Sequence, residues 1–304
     1  MMKLNKAQII TIVVSLTLGI TVGAIVETSS GFRNILRGNF GRNSESETTG
    51  TTPSIPPKYQ GKLQLFILAG QSNMSGLGDM PRSPANPNPK IYVFGNDYRW
   101  KVAKEPVDDP TNQVDKVSVD TPAGYGPSVD FATTVLKQRP DMVIGLIPCA
   151  KGGSTIHEWR RSLDENTLYG SCLKRVRAAS VMGNVAGILF FQGEIDTVNP
   201  KEDPKRKFSA NEWANKFTAL VKNWRSDLKL PNVPVVFAQI GSNTEPERFI
   251  NWKVVQEQQS KVKLPFTAMI KTNDLALKDY VHFTTESYQT IGQRFGKAYL
   301  ALRK

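Results

Sequence analysis

Leu63-Gln64-Leu65-Phe66-Ile67-Leu68-Ala69-Gly70-Gln71-Ser72-Asn73-Met74-Ser75-Gly76 decides how the rest of this chain is read. An apolar run interrupted only by Gln64 marks a buried strand of the kind found inside parallel sheets. Gly70 ends it, small and polar residues follow, and Ser72 stands where a strand passes through a turn into a helix. At such a turn backbone N–H groups lack helical acceptors, and the helix end adds partial positive charge. A hydroxyl placed there is ringed by donors, which suits a nucleophile that must generate an oxyanion. A lone Gly-x-Ser is more simply a helix cap. The choice between the two rests on what the remaining chain supplies.

Downstream, Ile91–Phe94, Met142–Cys149, Val185–Phe191, Val233–Ile240 and Phe266–Ile270 read as strands. Helices are expected from Pro127 onward and over Leu168–Ser180, Ser209–Leu228, Glu247–Val262 and Thr284–Leu300. Within Ser209–Leu228, Trp213, Phe217, Leu220, Val221, Trp224 and Leu228 recur at steps of three and four, a core-facing stripe, and Ser209 with Glu212 matches a capping box. Strands alternating with helices predict an α/β fold, a three-layer α/β/α sandwich around a parallel sheet of about five strands. Ligands bind such sheets beyond the carboxyl ends of the strands, so the loops that follow strands should meet at one cleft. The irregular stretch Gly95–Gly126 is long enough to line it.

The chain has 304 residues and a net charge of +12. It carries no zinc-finger spacing, repeat or nucleic-acid motif, so nucleic acid is not an expected partner. The charge is read as a solvated surface first, and as a match to an acidic glycan or envelope second. Lys3 and Lys6 precede an uncharged run, Ala7–Val26, closed by Glu27. This fits a cleavable export signal, with Val22-Gly23-Ala24 at the cut, or a membrane anchor, which the length of the run favours. The expected organisation is a leader over residues 1–27, a flexible Ser/Thr/Pro/Gly-rich linker over 28–61, and a folded domain over 62–304. Either form of the leader puts the domain outside the cytoplasm, secreted, periplasmic or anchored.

Four segments near strand ends carry the chemistry: Gly70-Gln71-Ser72-Asn73-Met74, Gly152-Gly153-Ser154, Gln192-Gly193-Glu194 and Asp279-Tyr280-Val281-His282. Acyl transfer by a serine needs a base, a group that fixes the base's tautomer, and donors for the oxyanion. Only His157 and His282 are available. Asp279, three residues before His282, is able to bend back onto Nδ1 and leave Nε2 free for Ser72. His157 has only adjacent Glu158, which would normally point away.

This set resembles the SGNH/GDSL hydrolase superfamily, whose fold is flavodoxin-like. The likeness is to its sialate O-acetylesterase-like branch, grouped with the acetyl xylan esterases of carbohydrate esterase family six, and it runs from Leu63 to Ala301. The resemblance implies a serine esterase that removes O-acetyl groups from a glycan through an acyl-enzyme, with no metal or cofactor. Ser72 would be the nucleophile, His282 the base and Asp279 its orienting acid. The N–H groups of Ser72 and Gly153, with the Gln192 amide, would form the oxyanion hole. The wider superfamily has an asparagine where this chain has Gln192, whose amide sits on a longer arm. Glu194 is expected to be a supporting buried carboxylate, with the acid role in place of Asp279 as its alternative; Asp274 is a further candidate. Position 74 is Met, where an α/β-hydrolase elbow needs Gly. A non-catalytic carbohydrate-binding or scaffold protein that keeps only the fold is the competing class. Cys149 and Cys172 form either one bridge beside the glycine turn or two buried thiols. The basic run Lys201, Lys205, Arg206 and Lys207 is a solvated loop or a site for an acidic glycan.

Overall fold

The computed structural model describes residues 55–303 apart from 84 and 121; the leader and most of the linker expected from the sequence lie outside the described residues. Ile55 is already buried and Pro57–Tyr59 forms a single 3-10 turn, so packing begins ahead of Lys62.

In chain order the strands are β1 (Leu63–Gly70), β2 (Ile91–Phe94), β3 (Trp100–Val102), β4 (Ile144–Pro148), β5 (Gly183–Phe191), β6 (Val235–Ala238) and β7 (Thr267–Ile270). The helices are α1 (Ser72–Ser75), α2 (Ser128–Gln138), α3 (Leu168–Ala179), α4 (Trp213–Asp227), α5 (Trp252–Lys261) and α6 (Thr285–Leu302). They build one seven-stranded sheet in the order β3-β2-β4-β1-β5-β6-β7. All neighbours pair in parallel except β3, which runs antiparallel to β2 at one edge. The sheet is wider than the sequence indicated because β3 is three residues long, too short for any alternation to show.

Alternate residues of β1 serve two cores, as the two-residue period of a strand requires. Leu63, Leu65, Ile67 and Ala69 join the cluster containing Tyr169 of α3, Trp213 and Trp224 of α4, and Trp252 of α5. Phe66 and Leu68 join the cluster containing Phe131 of α2 and Phe295 and Tyr299 of α6. Helices therefore cover both faces, the three-layer sandwich expected. Each wholly buried Leu or Phe contributes about 1.5–3 kcal/mol relative to exposure. β1 lies between β4 and β5, where the strand order reverses, so its carboxyl end opens at a topological switch point.

Two features of the layers bear on the site. Cys149 and Cys172 are joined, with their Cα atoms 5.4 Å apart, fastening the chain just past β4 to α3. One turn further along α3, Arg175 is 1% exposed and donates to the Pro148 carbonyl, to Asn96 and to Asp115. It thereby ties the Gly95–Gly126 stretch to the end of β4. The expected capping box at Ser209 does not form. Ala210–Glu212 is a 3-10 turn, α4 starts at Trp213, and the Ser209 N–H donates instead to Asp196 Oδ1 at 2.8 Å. A buried carboxylate from another loop outcompetes the local Glu212 for that donor. Among the described residues no helix is long and apolar enough to cross a membrane.

Candidate active site

Gly70 closes β1 at φ +134°, and a Cβ there would stand 2.0 Å from the Phe191 carbonyl oxygen of β5. Glycine thus lets the two strand ends meet, and the Gln71 N–H donates to that same oxygen at 2.8 Å. The chain turns directly into α1, which begins at Ser72.

Ser72 Oγ lies 2.8 Å from His282 Nε2, and His282 Nδ1 lies 2.7 Å from Asp279 Oδ2. Asp279 Oδ1 accepts the N–H groups of Val281 (2.9 Å) and His282 (2.8 Å). Burial pushes the Asp279 carboxyl up, but these two N–H bonds and the imidazole outweigh it and hold the group below its ordinary value. It is therefore a carboxylate, the partner that favours a proton on Nδ1, and in that tautomer Nε2 accepts from the Ser72 hydroxyl. The loop keeps this shape through a short antiparallel bridge between Leu277 and Phe283 and a 2.7 Å bond from the Lys278 N–H to the His282 carbonyl. Phe283, 1% exposed and packed between the Phe191 and Tyr288 rings, anchors the loop in the core. A hydroxyl, an imidazole and a carboxylate in this order can pass a proton from the serine to a leaving group.

Gly153 stands after β4 with φ +64°. Among the described residues, the N–H groups of Ser72 and Gly153 have no protein acceptor, and both residues line the same cleft. Gln192 departs from the expectation. It is wholly buried, and its Nε2 donates to Asp196 Oδ2 (2.7 Å) and the Ser154 carbonyl (3.0 Å), while its Oε1 accepts from Trp213 Nε1 (2.8 Å). Both amide hydrogens are committed inside the protein, to Asp196 and the Ser154 carbonyl, with Gln71 Oε1 a third, longer acceptor at 3.4 Å. Gln71 stands on the cleft wall in its place. Its Oε1 faces the N–H groups of Gly193 (3.3 Å) and Ile195 (3.5 Å), which sets the amide's orientation and leaves Nε2 without a protein partner among the described residues.

Glu194 does not touch His282. Its Oε1 accepts from Asn73 Nδ2 at 2.6 Å, and burial raises the carboxyl to about 7 despite that bond. Asn73 also donates to the Val281 carbonyl (3.1 Å) and accepts from Tyr288 OH (2.6 Å), so it links the turn at Ser72 to the His282 loop and to α6. Asp274 is paired with Arg294 at the surface. Sequence reasoning passed over Asn73 and Gln71. The available signal was their flanking of Ser72, where a plain cap requires neither amide.

The cleft has a volume of about 210 Å³ and is also lined by Asp120, Arg248, Phe249 and Tyr280. The Phe249 and Tyr280 rings are near parallel at 5.9 Å, and the Arg248 guanidinium lies 5.1 Å from each. Larger hollows, such as one of about 420 Å³ between Tyr59, Arg139 and Arg303, contain no hydroxyl–imidazole pair among the described residues.

Residues 62–301 match the family model described as carbohydrate esterase, sialic acid-specific acetylesterase. The chain belongs to this carbohydrate esterase family. A probable carbohydrate esterase of Arabidopsis thaliana is 33% identical over 267 residues, covering 81% of this chain and 92% of that protein. A crystal structure of an Arabidopsis thaliana protein superposes with a TM-score of 0.66 at 31% identity, covering 79% of this chain and 98% of the other. A carbohydrate acetylesterase of Xanthomonas citri (TM-score 0.57, 18% identity, covering 79% of this chain and 56% of that one) shares the fold. So does NanS (TM-score 0.57, 17% identity, covering 80% and 98%). Membership in the carbohydrate esterase family supports esterase activity and an acetylated carbohydrate as substrate.

Proposed function

We propose that the protein is a serine O-acetylesterase that deacetylates a carbohydrate through an acyl-enzyme. The observation that carries this reading is the run Ser72 Oγ–His282 Nε2–His282 Nδ1–Asp279 Oδ2 at the mouth of the switch-point cleft, with contacts of 2.8 and 2.7 Å. Ser72 attacks the acetyl carbonyl as His282 takes its proton, and Asp279 stabilises the imidazolium. His282 then returns the proton to the departing sugar oxygen. Water, deprotonated by the same imidazole, attacks the acetyl-serine; the ester bond to Ser72 Oγ then breaks, releasing acetate, and His282 returns the proton to that oxygen. The N–H groups of Ser72 and Gly153 hold the tetrahedral oxyanion. Gln71 Nε2, open to the cleft, is the side-chain amide that joins them in place of Gln192.

The cleft volume of about 210 Å³ supports a short acyl group with part of a sugar ring. Tyr280 and Arg248 supply an aromatic and cationic wall for the ring. Export is proposed as well, on the lysine-flanked uncharged run at the N-terminus and the bonded pair Cys149–Cys172, which suits an oxidising compartment. Hydrolysis of a chromogenic acetate ester by the wild type and by Ser72→Ala tests the reaction. The variant is expected to lose about 10³–10⁵-fold in turnover; an active Ser72→Ala protein would remove the serine from the mechanism.

A further inference from the structure

Two charged side chains beside the cleft have no part in the acyl-transfer scheme. Asp120 comes from the Gly95–Gly126 stretch and Arg206 from the basic run after β5, and both converge on the glycine turn that follows β4. Asp120 Oδ2 accepts the Gly152 N–H at 2.5 Å and the Ser75 hydroxyl at 3.2 Å. Arg206 donates to the Gly153 carbonyl and, at 3.1 Å, to Glu158 Oε2. Glu158 in turn accepts the Thr155 N–H at 2.7 Å.

The pattern is specific in which peptides it grips. Asp120 holds the peptide ahead of Gly152, and Arg206 holds the peptide behind Gly153. Between them lies the one peptide whose N–H, that of Gly153, has no protein acceptor among the described residues. Gly153 cannot hold itself there: it stands at φ +64° with open space where a Cβ would be, and a glycine is the residue least restrained by its own backbone. Gly152 serves a different purpose. A Cβ on it would lie 2.6 Å from both Asp120 carboxylate oxygens, so its bareness is what lets the carboxylate close onto the N–H. The adjacent glycines are thus needed for two separate reasons. Asp120 is backed in turn by the Lys151 ammonium, which donates to the Val119 carbonyl at 2.6 Å, and the stretch that bears it is pinned by Arg175.

We propose that Asp120 and Arg206 are positioning residues, oppositely charged and brought from two separate loops, that clamp the glycine turn on both sides and aim the Gly153 N–H at the developing oxyanion. Through Ser75, Asp120 also sets the spacing between that donor and the turn carrying Ser72. The proposal rests on the reading of Gly153 as an oxyanion donor given above. Arg206 is then neither a free solvated charge nor a contact to an acidic glycan, the two meanings its basic run had in the sequence.

The test is steady-state kinetics of the full chain on p-nitrophenyl acetate, with thermal unfolding of every variant. Asp120→Ala and Arg206→Ala are expected to lower kcat by about 10- to 100-fold, less than the 10²–10³-fold for loss of an oxyanion donor outright, with KM within about twofold. Asp120→Asn, whose Oδ1 accepts the same N–H, should recover to within about threefold of wild type. The ionisation in the pH profile of kcat/KM should stay where it is, since the proton relay is untouched. Alanine variants with kcat within twofold of wild type would overturn the clamp, as would a raised KM with kcat unchanged. An Asn variant as slow as the Ala variant would overturn it too, because charge rather than the hydrogen bond would then matter. If Asp120→Ala unfolds, Gly152→Ala replaces it, since its methyl drives the carboxylate off; unaltered kcat there also overturns the proposal. Ser72→Ala separates the two readings: full activity in that variant defeats the serine mechanism, whereas a dead Ser72→Ala beside normal Asp120 and Arg206 variants defeats the clamp alone.

Discussion

The two halves of the cleft are built in different ways. The half proposed to relay the proton is local: Asp279 and His282 sit in one short loop, bonded to each other through both backbone and side chain, and only Ser72 comes from elsewhere. The half proposed to hold the oxyanion is assembled from afar. The turn bearing Gly153 is gripped by Asp120 and Arg206 from two other loops, and its β4 end is fastened to α3 by Cys149–Cys172 and Arg175. A motif can therefore specify the first half, while the second depends on which of several buried polar groups win particular partners.

The sharpest way to break this contrast is to compare the two acids. Asp279→Asn should cost about 10³–10⁴-fold in kcat, as expected when the group fixing the base's tautomer is lost. Glu194→Gln, which keeps an acceptor for Asn73, should cost about tenfold or less. Turnover on an acetate ester measures both, and a larger loss at Glu194 would move the acid out of the local loop. Next comes Gln192→Ala. Because the amide is committed to Trp213, Ser154 and Asp196, its removal should show in stability, by about 2–4 kcal/mol in denaturant unfolding. A kcat drop of about 10²–10³-fold with unaltered stability would instead return Gln192 to the oxyanion hole.

The smallest expected effect concerns pH. Burial raises Glu194 from 4.5 to about 7, so the folded state favours its neutral form. That stabilisation is complete below pH 4.5 and is lost as pH rises through about 7. Unfolding free energies at pH 5 and pH 8 should therefore differ less in Glu194→Gln than in the wild type, by an amount on the order of 1–3 kcal/mol. An unchanged difference would mean that Glu194 is ionised in the fold.

The sandwich was legible because β1 is a short, nearly unbroken apolar run ended by Gly70 and the stripe of α4 repeats at steps of three and four, patterns that mark a doubly covered strand and a helix. The start of α4 was misread because the Ser209 donor that a capping box would use is taken by Asp196, a residue from another loop. Likewise β3 is too short to carry a period, and it exists because β2 offers it an edge.

The sequence alone determined the layers of this protein, the strand end at Ser72 and the pairing of Asp279 with His282, all of which depend on neighbours a few residues apart. Only the tertiary structure decided that Gln192 turns inward, that Gln71 Nε2 stands on the cleft wall with no partner among the described residues, that Cys149 bonds Cys172, and that Asp120 and Arg206 meet at the glycine turn. The reason is competition. A side-chain amide or carboxylate takes whichever buried partner packing brings within about 3 Å, and those partners belong to elements that only the folded sheet brings together.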